Sequence, residues 1–138
     1  MAGYSGTPLV KKLGIKDFSR VRLVGAPAGF EKELGALPHG AVLQDGNAKT
    51  SDVVLFFTPW KADLETQFGK LAKAIHPDGR LWISWPKKAS KLPTDLTEDV
   101  IRAVGLDAGL VDNKVCAVTE VWSGLQFQYR LVDRPKKK

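Results

Sequence analysis

The sequence predicts an α/β fold: a single doubly wound, mostly parallel sheet with helices on both faces and an antiparallel hairpin at its C-terminal end. Three observations carry this. Short apolar runs alternate with segments of helical period along most of the chain. The run 53–57 is apolar throughout, as a strand covered on both faces must be. The run 21–24 leads into a turn with Gly25 and Gly29, which is how a parallel-sheet protein passes sharply from strand to helix.

The elements follow in order. Residues 8–14 read as a short helix ended by Gly14, and residues 21–24 as the first strand. A helix over 30–37 stops before Pro38, and a strand follows at 41–44. After the polar turn 45–51 and the strand 53–57, residues 61–75 form a helix with Leu64, Phe68, Leu71 and Ile75 on one face. Pro77-Asp78-Gly79 turns the chain into a strand at 81–85, and a polar loop covers 86–93. Asp95 with Glu98 behind it fits a capping box, followed by Leu96, Val100, Ile101 and Val104. Gly109 ends that helix, and 114–119 and 125–131 read as strands around a turn at Ser123-Gly124. These last two stand too close for a helix between them, so they pair antiparallel at one edge of the sheet.

With 138 residues, 43% hydrophobic and 26% charged, the chain has the size and balance of one globular domain over 1–133. The basic tail 134–138 is expected to be disordered. A lone cysteine, Cys116, excludes an intrachain disulfide and a Cys-rich zinc site, and its apolar surroundings point to packing. No stretch nears the roughly 20 apolar residues that cross a bilayer, and the N-terminus lacks a signal peptide's charged start and apolar core. A cytoplasmic location, with no membrane partner, is expected. Part of the net charge of +6 sits in the tail and the rest is dispersed over the chain, the pattern of a solvated surface more than of a nucleic-acid footprint. His39 and His76 have no partners in sequence, and there is no Ser-His-Asp order, His-Glu-x-x-His or P-loop. Metal chemistry and nucleophilic hydrolysis are therefore not expected.

The candidate site lies at the carboxyl ends of the strands, where open α/β sheets take ligands. Residues 21–29 have the layout of a nucleotide-binding strand and turn, with Gly25 and Gly29 in place and Pro27 where a middle glycine belongs. Pro27 has no N–H to donate and sets a ring in the ligand's approach. Asp45 stands 20 residues after Gly25, where a carboxylate can reach ribose hydroxyls, though Asp45-Gly46 is also a common turn pair. Lys87, Lys88, Ser90 and Lys91, ahead of a helix N-terminus, form a candidate anion site or a solvated basic loop. Trp60, Trp85, Glu120 and Trp122 fall on the rim, where Trp85 and Trp122 could stack on a base or aromatic ring or serve as core anchors.

Several segments, in order, resemble the class I S-adenosylmethionine-dependent methyltransferases, a Rossmann-like fold. IKDFSRVRLVGAPAG (15–29) is similar to their lead-in and first motif, and SDVVLFF (51–57) to their Asp-led fourth strand. LAKAIHPDGRLWISW (71–85) is similar to their helix, Pro-Gly-Gly turn and fifth strand, and AGLVDNKVCAVTEVWSGLQFQYR (108–130) to the closing strand pair. Leu23 replaces their usual acid, and there is no room between Asp45 and Asp52 for their helix-strand-helix unit, so the sheet is short by about one strand. Thr58-Pro59-Trp60 is similar to the Pro-aromatic loop of amino-directed members, without the Asp or Asn that leads it there. GYSGTPLVKKLGI (3–15) and WPKKASKLPTDLTED (85–99) also resemble a small bacterial family catalogued only as a domain of unknown function.

A preserved fold with an altered loop implies a non-catalytic, methyltransferase-like binding or scaffold domain, acting as a homodimer or with a protein partner. Two alternatives stand beside it. One is a minimal methyltransferase holding S-adenosylmethionine with Gly25, Gly29 and Asp45. The other is a phosphate or nucleic-acid binder using Lys87, Lys88, Lys91 and the tail, whose affinity would fall steeply with salt.

Overall fold

The computed structural model describes residues 7–44 and 50–134. Its strands are β1 (Arg20–Val24), β2 (Val42–Leu43), β3 (Ser51–Phe57), β4 (Ile75–Pro86), β5 (Leu110–Ala117) and β6 (Trp122–Tyr129). Its helices are α1 (Leu9–Lys12), α2 (Phe30–Leu34), α3 (Lys61–Ala74) and α4 (Glu98–Asp107). The six strands form one sheet in the order β2-β1-β3-β4-β6-β5. β1 to β4 run parallel, and β6 inserts antiparallel between β4 and β5. The predicted class and the terminal antiparallel pair are both present.

Strand period divides the core. Val54, Phe56, Leu81, Ile83, Leu125 and Phe127 face α3 and α4. Val53, Leu55, Phe57 and Trp82 face the other way, toward Leu13 at the end of α1 and Phe30 and Leu34 of α2. The unbroken apolar run of β3 follows from this, since every residue of it is buried on one face or the other. No helix among the described residues is long and apolar enough to cross a membrane.

Several boundaries differ from the sequence reading. α2 ends at Leu34, because Gly35 takes φ 81°. β4 begins at Ile75 and carries Pro77-Asp78-Gly79 inside it, with a register irregularity opposite Ser51 and Val53. The hairpin turns at 118–121, where Val118 and Thr119 donate to the Trp122 carbonyl, and Gly124 lies within β6. A Cβ at Gly124 would stand 2.7 Å from Val118 Cγ2, so this glycine serves close packing inside a strand. α4 starts at Glu98, capped by Thr97, whose hydroxyl accepts the Val100 N–H. Asp95 instead caps α3, its Oδ1 accepting the Lys61 N–H at 2.7 Å.

Asp52 ties the feet of β1 and β3 together by accepting Arg20 N, Nε and Nη2 at 2.8, 3.0 and 3.1 Å. Burial opposes the Asp52 carboxylate, but the side-chain and backbone bonds from Arg20 outweigh it and hold its pKa below the usual range. A depressed folded pKa contributes stability that is full above the unfolded value and is lost as pH falls through the folded one. Unfolding monitored between pH 7 and 2 should therefore show stability declining below about pH 4. Asp52→Asn should flatten that acid limb; an unchanged limb would remove Asp52 as its source.

Candidate functional site

β1 and β3 are neighbours, but the chain leaves them on opposite sides of the sheet. After β1 it passes to α2 on one face, and after β3 to α3 on the other. Their carboxyl ends thus flank a topological switch point, the crevice where open α/β sheets take ligands.

The β1 loop lines one side. Gly25 has φ 70°, and a Cβ there would lie 2.7 Å from the Phe57 carbonyl oxygen. The fit of β1 against β3 alone therefore requires this glycine. Gly29 has φ 82°, caps α2 and has nothing within 4 Å of a Cβ position, so open space begins there. Pro27 is partly buried, and its carbonyl accepts the Phe30 N–H at 3.1 Å. Ala28 and Gly29 carry N–H groups for which the described residues supply no backbone acceptor. Glu31 and Glu33, exposed in the first turn of α2, put negative charge at the helix end whose dipole would favour an anion.

The opposite wall is the loop after β3. Thr58 is fully buried and its Oγ1 accepts the Trp60 N–H at 3.2 Å. The Pro59 carbonyl accepts from the Thr94 hydroxyl at 2.6 Å and from the Asp95 N–H at 3.3 Å. With Asp95 also on Lys61, the chain leaving β4 crosses the end of β3 and braces its loop. Trp60 remains 47% exposed on the rim.

Lys87 follows β4, its N–H donating to the Val121 carbonyl at 2.8 Å. Residues Lys88–Ser90 make a single 3-10 turn, in which the Ser90 hydroxyl donates to the Lys87 carbonyl at 2.6 Å. Ser90 is thus engaged by its own backbone, while Lys88 and Lys91 are exposed. The helix expected to follow them, α4, begins at Glu98, is capped by Thr97, and carries Glu98 and Asp99 in its first turn.

Trp85 is 8% exposed and packs in the core under α3 and α4, so it offers no face for stacking. Trp122 is partly buried and meets Phe57 edge-on at 5.4 Å, and Phe57 meets Phe30 at 4.8 Å, giving a row of rings beneath the crevice on the α2 side. Glu120 is exposed in the hairpin turn. Asp45 lies outside the described residues. Cys116 is half-buried, and burial raises its thiol pKa against the pull of Lys114, Lys12 and Lys87, which keeps it protonated.

Sequence reasoning missed two features. The Thr94–Asp95 brace is one, and its two residues look in sequence like ordinary loop and cap residues. The other is Ser84, a fully buried β4 hydroxyl two residues from the end of the strand on the Trp82 face, with no hydrogen-bond partner among the described residues. A serine inside the apolar run Leu81-Trp82-Ile83-Ser84-Trp85 was its only signal.

No protein-family model matches the chain and no curated protein matches it in sequence, so the resemblance to the bacterial family stays with its two short stretches. Solved structures do match its fold. A precorrin-6y C5,15-methyltransferase from Geobacter metallireducens superposes with a TM-score of 0.60 at 11% identity, covering 88% of this chain and 86% of that one. A methyltransferase dependent on S-adenosylmethionine from Aquifex aeolicus gives 0.59 at 17% identity, covering 86% of each chain. Magnesium protoporphyrin IX methyltransferase from Synechocystis, with S-adenosylhomocysteine bound, gives 0.55 at 13% identity over 88% of this chain and 78% of that one. The chain has the class I methyltransferase-like fold.

Proposed function

We propose that this chain is a non-catalytic binding domain on a methyltransferase-like fold, with the β1/β3 crevice as its ligand site. The observation that carries this reading is the loop from Gly25 to Gly29. It keeps the glycine that the sheet itself requires and replaces the next with Pro27, which has no N–H to donate. The residues present do not fit the amino-acid end of S-adenosylmethionine. Its carboxylate would lose a donor worth about 1.5–3 kcal/mol at Pro27 and would approach an end of α2 that carries Glu31 and Glu33.

A second reading, a minimal methyltransferase dependent on S-adenosylmethionine, is favoured by the fold shared with the three enzymes above, one of them with S-adenosylhomocysteine bound. It assigns Asp45 to the cofactor ribose. Calorimetric titration with S-adenosylhomocysteine separates the two. The binding-domain reading expects no heat of binding up to millimolar ligand. Saturable micromolar binding would overturn it in favour of the enzyme.

A further inference from the structure

At the opposite, amino end of the sheet, the starts of β1, β3 and β4 surround a cavity of about 290 Å³. Its distinctive member is Arg80 of β4. Arg20, Arg102 and Arg130 each pair with a carboxylate. Arg80 is partly buried, and its side chain makes no hydrogen bond or ion pair with any described residue. Its guanidinium lies over Gly14, where a Cβ would come within 2.5 Å of Nε, so the glycine makes the space that the cation occupies. The charge that acts on it is a like one, Arg134, and burial together with Arg134 pushes the Arg80 pKa below its usual value. Asp52 also lines the cavity, but its carboxylate is committed to Arg20.

The mouth is shaped as well. Phe18 is a bulky residue held at φ 63° with 67% of its surface exposed, its N–H bonded to the His39 carbonyl and its ring edge-on to His39 at 5.3 Å. A left-handed phenylalanine is a strained conformation of the kind that structures retain at binding sites. Lys16 adds a second cation to the lining.

We propose that this basal cavity binds a single small oxyanion group, a phosphate or a carboxylate, gripped by the fork of Arg80 beside Lys16 with Phe18 at its mouth. A guanidinium presents parallel N–H groups suited to two oxygens of such a group. Asp17, Asp78 and the Arg20-bound Asp52 also line the cavity, so it accepts one anionic group and discriminates against polyanions. The site lies at the other end of the sheet from the β1/β3 crevice and does not depend on what that crevice binds.

The test is calorimetric titration with inorganic phosphate, and separately with acetate, at constant ionic strength. The wild type should bind at least one of them saturably at one site, phosphate or acetate assigning the group. Arg80→Met, which keeps a stem over Gly14, should weaken that binding by about ten- to a hundredfold. Asp78→Asn, at an exposed side chain, should tighten it, which tests the charge argument independently of how Arg80→Met folds. Absence of saturable binding by both anions, or equal affinity in wild type and both variants, would overturn the proposal.

Discussion

Replacing Gly105 by alanine should destabilise the protein by about 1–3 kcal/mol, although the change favours helix by about 1 kcal/mol. Gly105 is buried in α4, and a Cβ there would lie 2.0 Å from Phe127 Cε1 and 2.5 Å from Cζ. Phe127 is fully buried in β6 and locked edge-on against Phe68 of α3 at 5.3 Å, so it cannot swing aside. The glycine sets how closely α4 approaches the sheet, and Arg102 bonded to Asp112 fixes the same helix to β5. Urea unfolding should show a lower midpoint with an unchanged slope. Phe127→Leu in the alanine background should recover part of the loss, since neighbours couple. A stabilised Gly105→Ala protein would show that the α4 approach is looser than described.

Trp82→Ala should cost about 3–5 kcal/mol, a large part of the roughly 5–15 kcal/mol that holds a domain folded. Trp82 is fully buried at the centre of the face that α1 and α2 cover. Its Nε1 donates to the Leu13 carbonyl at 2.9 Å, fastening the end of α1 to β4 across 69 residues. Removal leaves both a cavity and an orphaned carbonyl. Trp82→Phe keeps most of the packing and loses only the bond, so its cost in unfolding experiments should be clearly smaller. Equal costs for the two would mean that the hydrogen bond, not the volume, anchors α1.

The alternation of strands and helices was legible because burial on two faces writes itself into runs such as 53–57 and the spacing of Leu64, Phe68 and Leu71. What was not legible was decided by contacts far apart in sequence. Asp95 and Thr97 are both capping residues, and only the arrival of Lys61 tells which helix Asp95 serves. Gly124 reads as a turn until Val118 and Trp82 are seen to occupy its side-chain space. Trp85 and Trp60 both fall at strand ends, yet α3 and α4 bury the first while the second stays half exposed. The crevice itself was half legible: the Gly25–Gly29 loop was recognisable, whereas the brace from Thr94 and Asp95 was not. The basal cavity draws on three separate segments and left no local trace.

The most direct test of the central claim is an amide NMR titration of the labelled protein with S-adenosylhomocysteine, read at Gly25, Gly29 and the Trp60 indole. The account predicts that these signals stay in place up to millimolar ligand. Saturable shifts there at micromolar concentration would show that the crevice holds the methyltransferase cofactor despite Pro27, and would contradict it.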